Sequence, residues 1–122
     1  MVRLSIHMNH RFLLLALLIP LCVGCAPKSL APQVVPEGIL FAFSASAAKS
    51  VSIVGSFNHW DPNHDKLTGP STEGIWTTVL PLFAGQYEYR FVINGTEWVL
   101  DPSVPAIDDG LGGQNSVLIV EP

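Results

Sequence analysis

Cysteine is scarce in this chain: two residues in 122, Cys22 and Cys25, both near the start. The sequence beyond them therefore has no thiol nucleophile, and it contains no Gly-x-Ser-x-Gly motif either. Basic residues are also few. All ten acids lie beyond residue 25, against only Lys28, Lys49, Lys66 and Arg90, which leaves that part at −6. Nucleic acid needs a basic footprint for its phosphates, and a polybasic membrane contact needs clustered lysine and arginine, so both are excluded as partners. A neutral polar ligand is compatible with this charge. The acids are scattered, as on an ordinary solvated surface. Long apolar runs are missing too. The longest, Phe12–Val23, is interrupted by Pro20 and falls short of the ~20 residues needed to cross a bilayer.

That run does have a use. Met1–Arg11 carries Arg3 and Arg11 with no acid, and a basic start before a short apolar stretch reads as a signal peptide. Leu21-Cys22-Val23-Gly24-Cys25 resembles a bacterial lipobox, with small Gly24 just before Cys25, although Cys22 stands where leucine is usual. The resemblance implies cleavage after residue 24 and a diacylglycerol on the Cys25 thiol. Cys22 leaves with the signal, so no disulfide remains. Ala26, rather than Asp, follows Cys25, which by resemblance to Gram-negative lipoproteins points to the outer membrane. The competing reading is an ordinary secretory signal with an incidental cysteine. Residues 25–37 hold Pro27, Pro32 and Pro36 and read as a tether, reaching about 34 Å over Ala26–Pro36 if extended.

From residue 38 to 122 the pattern is one of short strands. Expected strands are Ile39–Phe43, Val51–Ser56, a short edge at Lys66–Thr68, Ile75–Leu80, Gly85–Ile93, Glu97–Leu100 and Asn115–Val120. The clearest is Gly85–Ile93, in which Tyr87, Tyr89, Phe91 and Ile93 alternate with Gln86, Glu88 and Arg90. Asn94-Gly95 signals a hairpin, and Asp61–Asp65 has turn chemistry. Residues 101–114 are expected to form a loop. About seven short antiparallel strands with no convincing helix predict an all-β sandwich. The core candidates are Phe43, Ile53, Val54, Val79, Tyr89, Phe91 and Leu118, with Trp76 in the core or at an edge.

Four motifs carry a family resemblance: Val-x-Ile-x-Gly-Ser-Phe-Asn-x-Trp from Val51 to Trp60, Tyr-x-Tyr-Arg-Phe-x-x-Asn-Gly from Tyr87 to Gly95, Trp98-x-x-Asp101-Pro102, and Gly112-Gly113-x-Asn115-Ser116-Val117. Together they resemble the glycogen-binding module of carbohydrate-binding module family 48, over about Gly38 to Val120. The resemblance implies an immunoglobulin-like β-sandwich that binds α-1,4-linked glucans such as glycogen, starch or maltodextrin without catalysis and without a cofactor. Carried over by position, the stacking tryptophans are Trp60 and Trp98, the strand cation is Arg90 in place of lysine, the leucine that enters the glucan coil is Leu111, and the terminal asparagine is Asn115. The family's threonine is replaced by Gly113. The residue types suit the task. Indole faces match the apolar C–H faces of glucose, while Arg90 and Asn115 offer donors and an acceptor for hydroxyls.

Other readings stand beside these. Tryptophan in a small sandwich is commonly core, Leu111 can plug one end, and Arg90 can simply pair with Glu88 or Glu97. His59, Asp61, His64 and Asp65 hold zinc-ligand types but match no standard spacing, so no metal is expected. Asp101, Asp108 and Asp109 lie near the ligand loop, yet glycoside hydrolysis needs two carboxylates across a cleft, and a sandwich of this size offers a shallow face. The alternative to a glucan-binding module at the bacterial cell envelope is a structural sandwich that docks to a partner protein there. Exposure of Trp60 and Trp98 on one face separates the two.

Overall fold

The alternation in Gly85–Ile93 sorts its residues onto two faces, and the rest of the domain is arranged on either side. The computed structural model describes residues 29–122; the expected signal peptide, Cys25 and the start of the tether lie outside them. The described residues form nine strands: β1 (Gln33–Val35), β2 (Gly38–Ser44), β3 (Val51–Gly55), β4 (Asp65–Lys66), β5 (Ile75–Leu80), β6 (Gly85–Ile93), β7 (Glu97–Val99), β8 (Ala106–Asp108) and β9 (Gln114–Val120). One sheet has the order β1-β2-β5. The other runs β4-β3-β6-β9-β8, with β7 also paired to β6. Every pairing is antiparallel. The architecture is the all-β sandwich expected from the strand pattern.

The core lies between the sheets. Ile39 and Phe41 of β2, Trp76 and Leu80 of β5, Val51 and Ile53 of β3, and Tyr89 and Phe91 of β6 are buried there, together with Leu67. Phe91 packs on Phe43 at 4.6 Å between ring centroids, and Tyr89 meets Phe41 edge-on at 5.2 Å. Phe43 and Leu118 are partly buried against this cluster. Trp76 belongs to the core, and its indole N–H donates to the Ala45 carbonyl at 2.9 Å.

Two core candidates are placed differently. Val79 is 40% exposed. It pairs with Leu40, whereas the inward positions of these strands are Ile39, Phe41, Trp76 and Leu80. In Ile75–Leu80 the apolar residues come as adjacent pairs, Ile75-Trp76 and Val79-Leu80, on either side of Thr77-Thr78, so the period of two does not tell which face is inside. Val54 is buried, but it pairs with Arg90 and so lies on the outer face of the larger sheet. Val92 lies on that same outer face, between Ser52 and Trp98, and is also buried.

Strand limits also shift. The short edge is Asp65–Lys66 rather than Lys66–Thr68, and Thr68 instead bridges to Thr77 in the other sheet. The return strand of the Asn94-Gly95 hairpin ends at Val99. The expected loop 101–114 contains β8, and the expected tether contains β1, paired with β2 across a turn at Pro36-Glu37. Both extra strands are three residues long, too short to show alternation.

Candidate functional site

The site begins at a fork. The first half of β6 pairs with β9 as far as Tyr89↔Ser116, and the second half pairs with β7 from Phe91↔Val99. Arg90 stands between the two pairings with its side chain on the outer face, beside Glu88. Trp98 on β7 flanks one side of the fork and Asn115 on β9 the other. The buried side chains of Val54 and Val92 lie on this face of the sheet.

The loop after β3 supplies the second indole, and each residue of the motif has a task. At Gly55 a Cβ would come within 2.6 Å of the Glu88 carbonyl oxygen and 2.7 Å of the Phe57 ring, so no side chain fits. Ser56 bonds with the Glu88 backbone in both directions, through its amide at 3.0 Å and its hydroxyl at 3.3 Å. Phe57 packs between Phe41 and Tyr87. Asn58 is buried and staples the turn: its Oδ1 accepts from the Gly55 amide, and its Nδ2 donates to the Ile53 carbonyl and to Asp65 Oδ2, at 2.9–3.0 Å. The staple holds His59 and Trp60 in left-handed backbone conformations, each at φ 58°. Such a conformation costs roughly 1–2 kcal/mol per residue without glycine. Strain of this kind concentrates at ligand sites.

The third piece is the loop between β8 and β9. Asp109 Oδ1 accepts from the amides of Leu111 (2.7 Å) and Gly113 (3.0 Å), while its Oδ2 accepts from Arg90 Nη2 at 3.1 Å. Those amides, more than the guanidinium, hold the Asp109 carboxyl below the usual carboxylate range. Arg90 Nε donates to Asn115 Oδ1 at 2.8 Å, and Asn115 Nδ2 donates to Glu88 Oε1 at 3.1 Å. A polar chain thus runs Asp109–Arg90–Asn115–Glu88 across the outer face.

These pieces enclose an open depression of about 500 Å3 lined by Ser56, Trp60, Glu88, Arg90, Trp98, Asp109, Leu111 and Asn115. All five residues singled out from the sequence line it. Trp98 is 41% exposed and Leu111 90% exposed, Trp60 and Arg90 are partly buried, and Asn115 is buried with its amide engaged on both sides. Arg90 pairs with Asp109, not with Glu88 or Glu97. The sequence reading places Asp109 near the ligand loop and Glu88 as a possible partner of Arg90, but assigns neither of them, nor Ser56, to the binding set. Glu88 could have been found there, since it shares the polar face of β6 with Arg90; Asp109 has no such signal.

The remaining acids and histidines have other uses. Asp101 is buried, with Tyr89 Oη donating to it at 2.6 Å and Ser103 donating through both amide and hydroxyl. Burial, reinforced by this carboxylate, pushes the Tyr89 phenol far above its ordinary range, so it remains a donor. The Trp-x-x-Asp-Pro motif therefore places a structural carboxylate. His64 Nδ1 and Asp65 Oδ2 are 2.8 Å apart, and Asp65 also serves the Asn58 staple. Among the described residues, no three of His, Cys, Asp or Glu are grouped to hold a metal ion.

A family model described as the glycogen recognition site of AMP-activated protein kinase matches residues 39–122. A 1,4-alpha-glucan branching enzyme of Mycobacterium sp. (strain KMS) is 35% identical over 79 residues, 64% of this chain and 10% of the enzyme. Protein PTST, chloroplastic, of Arabidopsis thaliana is 37% identical over 82 residues, 65% of this chain and 28% of that protein. The pig 5'-AMP-activated protein kinase subunit beta-1 is 33% identical over 73 residues, 60% of this chain and 56% of the subunit. The chain spans from 10% to 56% of the length of these relatives.

Proposed function

The chain belongs to the family of the glycogen recognition site of AMP-activated protein kinase, and from that premise we propose that Trp60, Arg90, Trp98, Leu111 and Asn115 form a non-catalytic site for α-1,4-linked glucans on a domain held at the bacterial cell envelope by a lipid on Cys25. The observation that carries the glucan site is the meeting of two indoles, Trp60 from the loop after β3 and Trp98 from β7, on one open depression with a polar chain along it. An indole offers a flat apolar face, and the buried Val54 and Val92 give the outer face of the sheet a firm base. Leu111, exposed at its loop tip, gains about 1.5–3 kcal/mol if a ligand covers it fully. This exposure supports sugar binding over a purely structural sandwich.

The carboxylates of the depression support binding rather than hydrolysis. A glycosidase needs a carboxyl whose pKa is raised so that it can act as an acid. Asp109 is shifted the other way, and Glu88 is engaged by Asn115.

Titration calorimetry with maltoheptaose tests the site. The expected Kd is on the order of 10 μM to 1 mM, or about −4 to −7 kcal/mol, because the face is shallow and Gly113 brings no hydroxyl. Affinity rises with chain length up to about seven glucoses, the span of one turn of glucan coil on a curved face. Salt has little effect on an uncharged ligand. No heat at millimolar maltoheptaose, with no retention on glycogen, overturns the reading.

The anchor rests on Gly24-Cys25 after an apolar run. Cys25→Ser is expected to release the protein from the membrane fraction, and Ala26 directs the wild type to the outer membrane. An intact mass of the wild type without acyl chains removes the anchor and leaves the glucan site untouched.

A further inference from the structure

We propose that Asp109 is the positioning residue of this site, holding the Leu111 loop and the Arg90 guanidinium together through one carboxylate; the inference rests on the glucan reading above. Little else holds the loop. Leu111 is 90% exposed, so no apolar packing fixes it. Its shape comes from hydrogen bonds: the Asp109 amide to the Gly113 carbonyl (3.0 Å), the Leu111 and Gly113 amides to Asp109 Oδ1, and the Gly110 amide to Asp108 Oδ1 (2.7 Å). The other carboxylate oxygen faces Arg90 Nη2. Arg90 is thus oriented from two sides, by Asp109 on the loop and Asn115 on β9. Two single hydrogen bonds to residues on different elements remove rotamer freedom from the arginine before any ligand arrives.

Gly113 is the other half of the arrangement. A Cβ there would stand 2.8 Å from Asp109 Oδ2 and 3.5 Å from Arg90 Nη2. Any side chain at 113 therefore makes the Asp109 carboxylate shift from its place between the loop and the guanidinium. Glycine at this position gives up a side-chain contact to ligand and in exchange lets the carboxylate lie against the loop backbone.

Three variants test the inference by titration with maltoheptaose and by amide proton signals of the ligand-free protein. Asp109→Ala weakens binding tenfold or more, shifts the Leu111 and Gly113 amide signals and removes their exchange protection. Gly113→Ala, which keeps every charge, reproduces the binding loss. Asp109→Asn retains an acceptor for the two amides but loses the partner charge, and falls in between. The β3 amide signals stay at wild-type positions in all three, which shows that the sandwich is folded. Asp109→Ala binding within twofold of wild type overturns the inference. So does a binding loss with unchanged Leu111 and Gly113 amides, which makes Asp109 a direct ligand contact instead. A wild type that gives no heat removes the glucan reading itself, a result distinct from either.

Discussion

Replacing Trp98 with alanine is expected to abolish retention on amylose while leaving the domain folded. Trp98 sits on the three-residue strand β7, exposed at 41%, on the outer face of the larger sheet. Truncating an aromatic anchor at a binding face costs 2 kcal/mol or more, about thirtyfold. Applied to a Kd between about 10 μM and 1 mM, that factor gives roughly 0.3 to 30 mM, too weak for retention over most of the range. The folding cost is small, since the side chain is outside the sandwich core; a loss near ~1 kcal/mol lowers the thermal midpoint of a domain this size by roughly 4–8 °C. Arg90→Ala should weaken retention less, because water replaces part of its hydrogen bonding at an open rim. A Trp98→Ala protein that no longer folds would return the indole to a structural role and promote the partner-docking alternative.

Phe91→Ala acts in the opposite sense and should cost about 3–5 kcal/mol of stability. The ring is fully buried, packed on Phe43 at 4.6 Å and set edge-on to Tyr89 at 5.9 Å with planes 86° apart. Its loss leaves a cavity where the two sheets meet, and neighbouring aromatics held by their own contacts cannot collapse to fill it. Against a total stability of ~5–15 kcal/mol this is a large share. Denaturant unfolding with a midpoint at the wild-type value would mean that the faces of β6 are inverted, with Arg90 inward. At low temperature, where the variant remains folded, its maltoheptaose affinity should match wild type.

These two residues sit on neighbouring strands and are legible in the sequence for different reasons. In β6 the apolar and polar residues alternate without a break, so Phe91 inward and Arg90 outward follow from the sequence. The turn at Asn94-Gly95 is equally legible, because it answers a local backbone demand, a left-handed residue at Asn94 (φ 53°). Where apolar residues adjoin, as in Ile53-Val54 and Val79-Leu80, hydrophobicity marks a strand but not a face: Val79 faces outward, and Val54 is buried but on the outer side of its sheet. Asn58 and Asp109 were hidden for a different cause. Their partners are backbone amides and carbonyls together with side chains as far as nineteen positions away, as for Asp109 with Arg90, and such pairings exist only once the chain has folded. Trp60, Arg90, Trp98, Leu111 and Asn115 came from motif order and spacing. Their convergence on one depression is a property of the fork in β6, which no local pattern announces.

Strand β1 bears on how such a domain faces its surroundings. Because Gln33–Val35 is zipped onto β2, the proposed lipid on Cys25 would be joined to the sandwich by the seven residues 26–32, a reach of at most about 22 Å at ~3.1 Å per residue. Strand β1 belongs to the three-stranded sheet, whereas Trp98 lies on the outer face of the six-stranded one. Under the proposed anchor, that placement leaves the proposed sugar-binding side able to turn outward from the bilayer. A long polymer such as amylose can lie across many neighbouring copies at once, and contacts that are weak singly add up along its length.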